Sequence, residues 1–312
     1  MKIIFAGTPD FAVAPLQAIV DAGFEVAGVI TQADKPQGRK GILTPPPVKT
    51  LAEKLSLPVL QPTRIRDELD AVRALGGDLL VTCAYGQILT QEVLDAFPLG
   101  VWNIHAGLLP FYRGASPIQS CIVNGEKETG VSVMKTELGL DTGDILLVEK
   151  TEITQTETYG ELSNRLSILG ATAIVKGLRL LQTGEYTLTK QGEEGAKIYR
   201  KILKEHAKID FAKTAKEIVD LVRGSNPAPV AYTFLEGSAM NIYLAEPAEE
   251  FALQEGEYGE VLCDIPKKGL VVKCKGGAVR LIEVQLAGGK RMKGSDLLNG
   301  RKVKKGQVLY AE

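Results

Sequence analysis

The sequence predicts an α/β protein: a mostly parallel, helix-covered sheet in the N-terminal half, followed by a small β-barrel domain. Three observations lead there. Short β-rich runs alternate with amphipathic helical patterns through the first half, the mark of βαβ units. Beyond residue 230 the helical patterns give way to short β-type runs roughly ten residues apart, separated by Gly and Pro turns. Finally, 312 residues with 45% hydrophobic and 24% charged content are too many for one core and too few for three.

In chain order, the runs 2–6, 24–31, 78–83, 101–105, 129–135 and 145–149 read as strands. Between them, 11–22, 47–55, 67–75 and 115–123 carry apolar residues at helical spacing. This half therefore reads as Rossmann-like. The segment 158–184 is the clearest helix: Thr158 and Glu161 form a capping box, Leu162, Leu166, Leu169 and Ala173 share a face, and Gly184 ends it. From 185 to 208 the apolar pattern weakens, which marks a linker between a catalytic domain (1–184) and a second domain (209–312). The second domain opens with a helix at 212–223, then continues with strands at 231–235, 241–245, 259–263, 270–273, 279–286 and 307–310. An OB-like barrel is one common nucleic-acid-binding arrangement of such strands.

Charge separates along the chain. The net charge is −1, yet residues 1–196 carry 17 Lys and Arg against 23 Asp and Glu, and residues 197–312 carry 20 against 15. Within 267–305 there are 12 basic residues and two acidic ones, Glu283 and Asp296. A solvated lysine-rich face is the plain explanation; segregation this strong favours a polyanionic partner. Cys83, Cys121, Cys263 and Cys274 are scattered without Cys-x-x-Cys spacing, and there are only two histidines. A reduced, cytoplasmic chain without a metal is expected. No apolar run approaches the roughly 20 residues of a membrane span. The short apolar start, Lys2 to Ala6, leads into turn residues and reads as a strand, not a signal peptide. A monomer is expected.

In an open α/β sheet, ligands bind beyond the carboxyl ends of the strands. Strand alternation places Asn103 and His105 on one face at such an end. An Asn that donates to a carbonyl oxygen beside a His that takes a proton suits acyl transfer to an amine. The glycine-bearing loop after 138 supplies Asp141, a carboxylate able to fold over His105, set its tautomer and stabilise its protonated form. Each alone has a plainer explanation: a satisfied strand-end histidine, or ordinary Asp-Thr-Gly turn chemistry. Thr8-Pro9-Asp10 reads as the cap of the helix near Phe11. The opening lacks Gly-x-Gly-x-x-Gly, so no nicotinamide cofactor is indicated.

The strings Asn-Ile-His-Ala-Gly-Leu-Leu-Pro-Phe-Tyr-Arg-Gly-Ala-Ser-Pro-Ile-Gln, Glu-Thr-Gly-Val-Ser-Val-Met and Leu-Asp-Thr-Gly-Asp-Ile resemble the signature of the formyltransferases that use 10-formyltetrahydrofolate. The resemblance implies a catalytic trio of Asn103, His105 and Asp141. It also implies a folate site lined by Tyr85, Gly86, Gln87, Ile88 and Leu89, and by Gly107, Leu108, Leu109 and Pro110. The family usually has Ser where this chain has Gly107, which puts any hydrogen bond from that hydroxyl in doubt.

Residues 1–14 are similar to the opening of the formyltransferases that act on methionyl-tRNA. Residues 31–41 form a basic Gly- and Pro-bearing loop with Lys35, Arg39 and Lys40, and a loop of this length calls for a function. It resembles the family's RNA-gripping insertion, in which Arg39 would wedge into the end of the acceptor stem; Lys40 stands where the family more often has Gly. The implied acceptor is initiator methionyl-tRNA, with Lys267, Lys268, Lys290, Arg291, Lys293, Arg301 and Lys302 as candidate phosphate contacts. Nucleotide-sugar formyltransferases that act on an amino sugar share this architecture and are the alternative. A non-enzymatic RNA-binding protein built on a decayed transferase is a further one, disfavoured by retention of the whole trio.

Overall fold

The computed structural model describes residues 1–38, 41–263 and 265–309. Its strands are, in order, β1 (Lys2–Gly7), β2 (Glu25–Ile30), β3 (Lys35–Gln37), β4 (Ile42–Thr44), β5 (Val59–Leu60), β6 (Leu79–Cys83), β7 (Val101–His105), β8 (Tyr112–Gly114), β9 (Glu128–Lys135), β10 (Ile145–Glu152), β11 (Lys197–Tyr199), β12 (Ala231–Leu235), β13 (Ser238–Pro247), β14 (Val261–Cys263), β15 (Leu270–Cys274), β16 (Gly277–Leu286) and β17 (Met292–Lys293). The chain divides into two compact units. One comprises 1–117, 128–152 and 163–199; the other comprises 118–127, 153–162 and 200–312.

The first unit is built on a seven-stranded sheet in the order β10-β9-β7-β6-β1-β2-β5. β5, β2, β1, β6 and β7 run parallel, whereas β9 and β10 are antiparallel to their neighbours. The parallel strands are continuous apolar runs because both faces are covered: Ile3, Ile4, Phe5, Leu79, Leu80 and Val81 are all fully buried. Succession along the sheet reverses at β1, with β2 on one side and β6 on the other. That reversal opens a crevice beyond the carboxyl ends of β1 and β6, the usual ligand position in such sheets.

Thr8 sits at this point. Instead of capping the following helix, it donates from Oγ1 to the Tyr85 carbonyl at 3.0 Å and accepts from the Gln32 amide at 3.4 Å. The helix Val13–Asp21 instead begins through a 3₁₀ turn at Asp10–Ala12, with no side-chain cap.

The 31–41 loop contains part of a hairpin, β3 paired with β4. Its base is held by Lys49, which donates to Asp34 and to Gln61, and by Gln61 Nε2, which donates to Asp34 and the Gln32 carbonyl. These bonds to the ionised carboxylate hold Asp34 below the usual carboxylate range. Arg39 and Lys40 lie outside the described residues.

The stretch read as a linker is structured, with β11 in its first part and a 3₁₀ turn at Lys204–Ala207 in its second. Tyr186 packs edge-on to Trp102, Thr189 exchanges two 2.8 Å backbone hydrogen bonds with Ile145, and β11 pairs in parallel with β8. Its weak apolar pattern reflects pairing through backbone and polar groups, which leaves no hydrophobic periodicity to detect.

The second unit is an antiparallel β domain in the order β12-β13-β16-β15-β14, with β17 added beside β16. Ile242, Val272, Leu281 and Val284 form its core with Ile218 and Val222 of the helix Ala215–Gly224. Thr214 and Glu217 cap that helix reciprocally. Thr158 and Glu161 do the same for the helix Tyr159–Thr183. The strand expected at 307–310 is reduced to one bridge between Val308 and Glu260, and Tyr310 lies outside the described residues. All four cysteines are buried and none is in a disulfide, and no described helix is long and apolar enough to cross a membrane.

Within this unit Arg223 is buried against Asp220 at 2.8 Å and donates to the carbonyls of Thr154 and Glu157. Without Arg223 the buried Asp220 keeps only the exposed Lys216 at 2.6 Å, and two carbonyls lose their donor. Arg223→Met is expected to lower stability by about 3 kcal/mol, measured as a lower urea midpoint at unchanged m-value.

Candidate active site

The site forms where β6 and β7 end. Thr82 is the cross-strand neighbour of Asn103, and its Oγ1 donates to Asn103 Oδ1 at 2.9 Å. With Oδ1 accepting from Thr82, the Asn103 amide has its Nδ2 on the opposite side. Asn103 Nδ2 is thereby turned outward as a donor.

His105, 5% exposed, lies two residues on along the same face. Its Nε2 is 2.6 Å from the Tyr112 carbonyl, which can only accept. Nε2 therefore carries the hydrogen, and Nδ1 is the nitrogen left to exchange protons. The tautomer is thus set by a backbone carbonyl of β8 and not by Asp141, as the sequence suggested. Asp141 Oδ2 stands 3.7 Å from Nδ1, beyond a direct hydrogen bond but close enough to stabilise an imidazolium.

The Asp141 carboxylate is aimed by β8 as well, accepting from the Gly114 amide at 2.7 Å. Tyr112 and Gly114 point their backbone groups to the same edge because strand residues alternate. On the other edge the Ala115 amide donates to Tyr199, and the Tyr112 and Tyr199 rings stack at 4.7 Å. Gly114 has φ +104°, and a Cβ there would lie 2.5 Å from the Tyr199 carbonyl oxygen. Only glycine fits.

The turn from Gly107 to Pro110 is held by buried Ser132, whose Oγ donates to the Gly107 carbonyl at 2.8 Å and accepts from the Leu109 amide at 3.3 Å. A Cβ at Gly107 would meet Pro117, His105 Nε2 and Tyr112 at 3.0 to 3.2 Å, so a larger residue would have to displace its neighbours. Leu109 is buried with Met134 and Ile145, while Leu108 and Pro110 are partly exposed.

In the 85–89 turn, the side chains of two expected contacts face inward. Tyr85 is 4% exposed, and burial pushes its phenol up. Gln87 is spent on the neighbouring chain, accepting from the Ile65 amide at 2.8 Å and donating to the Pro62 carbonyl at 3.1 Å. Gly86 has φ +82°, Leu89 packs on the core, and Ile88 is 90% exposed. The surface this turn offers is therefore backbone and Ile88.

The basic candidates are exposed but dispersed. Lys35 Nζ donates to Gln32 Oε1 at 2.6 Å, and Gln32 Nε2 donates to the Tyr85 carbonyl at 3.1 Å. Lys267 and Lys268 lie on a 3₁₀ turn, with Lys268 over the Phe251 ring. Lys290 precedes Arg291, whose guanidinium lies 3.6 Å from the centre of the Tyr243 ring, and Lys293 ends β17. Arg301 and Lys302 line one open cavity of about 800 Å³ with Lys304 and Lys305. Those two lysines belong to the same charge run and were missed as candidates. Sequence reading also missed Thr82, Tyr112, Gly114, Ser132 and Gln191, which act through backbone geometry or across long sequence separations. Among the described residues, no three or more His, Cys, Asp or Glu are grouped to hold a metal.

The formyl transferase family model matches residues 1–178, and its C-terminal domain model matches 201–302. A methionyl-tRNA formyltransferase from Geotalea daltonii is 44% identical over 312 residues, covering 99% of this chain and 98% of its own. The chain belongs to the methionyl-tRNA formyltransferase family. A second member, from Neisseria meningitidis serogroup A, is 44% identical over 313 residues, covering 99% of this chain and all of its own. Among solved structures, an N-formyltransferase from Helicobacter canadensis in complex with folinic acid and dTDP-3-aminofucose matches with a TM-score of 0.67 at 18% identity. That match covers 94% of this chain and 100% of the other, and it shows a shared fold.

Thr82→Val keeps the side-chain shape and removes the bond that orients Asn103. A fall in kcat/KM of about tenfold is expected, the worth of one hydrogen bond, checked by steady-state kinetics with folding confirmed by circular dichroism.

Proposed function

We propose that this chain transfers the formyl group of 10-formyltetrahydrofolate to the α-amino group of initiator methionyl-tRNA. Residues 1–184 act as the catalytic domain and 209–312 as the RNA-binding domain. The observation that carries this reading is the placement of Asn103 and His105 on one face at the end of β7, with the Asp141 carboxylate 3.7 Å from His105 Nδ1. The full-length similarity to methionyl-tRNA formyltransferases supports the choice of acceptor.

The neutral amine attacks the formyl carbon, and the carbonyl electrons move onto the formyl oxygen. Asn103 Nδ2 donates to that oxygen as its charge grows. His105 takes the amine proton at Nδ1, since Nε2 is committed to Tyr112, and Asp141 stabilises the imidazolium. When the carbon–N10 bond breaks, N10 keeps the electron pair and receives that proton. One proton leaves the acceptor and one reaches the donor, so His105 ends as it began.

The folate lies between the 85–89 turn and the 107–110 turn, which flank the ends of β6 and β7. Lys35, Arg39 and Lys40 contact the acceptor stem. Lys267, Lys268, Lys290, Arg291, Lys293, Arg301 and Lys302 meet phosphates, which reward mobile, exposed cations without requiring one rigid pocket.

A formyl-transfer assay offering charged initiator tRNA, charged elongator methionine tRNA and free methionine tests the reading. Wild-type protein should formylate the charged initiator far faster than the other two. Asn103→Ala should lose about 3–4 kcal/mol of transition-state stabilisation, a 100- to 1000-fold fall in kcat with little change in KM. Near-normal turnover would remove Asn103 from the mechanism, and transfer to none of the three acceptors would overturn the acceptor. Separately, Arg301→Ala combined with Lys302→Ala should weaken tRNA binding and reduce the salt slope by about two, read from binding at several ionic strengths.

A further inference from the structure

Gln191 takes no part in the chemistry above, yet every bonding position of its amide but one is filled. Oε1 accepts from Arg113 Nε at 3.1 Å, and Nε2 donates to the carbonyls of Asp141 at 2.9 Å and Gly143 at 2.7 Å. These partners lie 78, 50 and 48 residues away in sequence.

We infer that Gln191 is a positioning residue of the formyl-transfer site: it clamps the backbone of the Asp141 loop to β8 and so fixes the carboxylate opposite His105. The inference rests on the function proposed above and extends it. Asp141 has φ +53°, a left-handed conformation that costs a non-glycine residue energy and must be held by its surroundings. Gln191 grips the carbonyls on either side of Thr142, and the loop backs directly onto β9. A Cβ at Gly143 would lie 1.9 Å from the Lys135 carbonyl oxygen.

The other end of the clamp is equally fixed. Arg113 is 5% exposed and sits between Tyr112, which holds His105, and Gly114, which holds the Asp141 carboxylate. One amide thus ties the loop that carries the carboxylate to the strand that aims both catalytic side chains. The task needs one acceptor and two donors in a plane. A primary amide supplies them; a carboxylate of the same shape keeps the acceptor for Arg113 but turns an oxygen toward two carbonyl oxygens.

The test compares Gln191→Glu, which preserves shape and the Arg113 contact, with Gln191→Ala, which adds no charge. Each is made in the wild type and in Asp141→Ala. Both single variants should lower kcat about 10- to 100-fold, as for a misplaced catalytic group, with KM for donor and acceptor within about twofold. In Asp141→Ala the same changes should cost nothing further, because the group they position is gone. Equal losses in both backgrounds, or unchanged kcat, overturn the inference.

A second readout does not depend on the acceptor. The chain has two histidines, His105 and His206, so the His105 ring signals can be assigned in a carbon–proton NMR spectrum by removing His206. Gln191→Glu and Gln191→Ala should move the His105 ring resonance in the direction that Asp141→Ala moves it. If wild-type protein formylates none of the acceptors, the functional reading fails while the clamp is still judged by this shift. A resonance that stays in place overturns the clamp.

Discussion

One edge of the three-residue strand β8 holds the site together. From it the Tyr112 carbonyl takes the hydrogen of His105 Nε2, and the Gly114 amide gives its hydrogen to Asp141. A carbonyl and an amide two residues apart on one strand have a fixed spacing and direction. The His105 and Asp141 side chains are therefore both bonded to backbone groups of one strand. β8 can serve this way because its other edge is occupied by β11, and the stacked rings of Tyr112 and Tyr199 resist sliding.

The division of roles around the imidazole follows from that edge. A carbonyl bonded to Nε2 commits that nitrogen as a donor and leaves Nδ1 for proton exchange. A carboxylate 3.7 Å from Nδ1 is far enough to leave room for proton movement and near enough to stabilise the charge produced. Asn103 is fixed from a different direction, by a hydroxyl on the adjoining strand. Two side chains of β7 and one from the 138–144 loop are each held by a hydrogen bond, the kind of arrangement that pre-organised charge stabilisation requires.

The basic residues obey a different logic. Phosphate recognition rewards net positive charge on exposed, mobile side chains, and the candidate lysines and arginines lie on turns and strand ends. Arg291 also makes a packing contact, its guanidinium 3.6 Å from the centre of the Tyr243 ring. The cavity lined by Arg301, Lys302, Lys304 and Lys305 concentrates positive charge.

The strands at 2–7, 79–83, 101–105 and 128–135 were legible within a residue or two, because buried parallel strands write themselves as apolar runs between turns. The capping box at Thr158 and Glu161 was legible for a similarly local reason: both partners lie within one helical turn. Asn103 and His105 could be placed on one face because alternation along a strand is a local property, and family resemblance pointed to Asp141. The sequence by itself thus marked the α/β class, the division of charge and the strand end at which Asn103 and His105 lie. Tertiary structure alone decided that Thr8 ties strand ends instead of capping a helix, that Tyr85 and Gln87 face inward, and that a stretch read as a linker braces Asp141. Each of those outcomes depends on hydrogen bonds between residues far apart in the chain. Such bonds use backbone groups every residue possesses, or single polar side chains without periodicity, so they leave no pattern in the sequence to read.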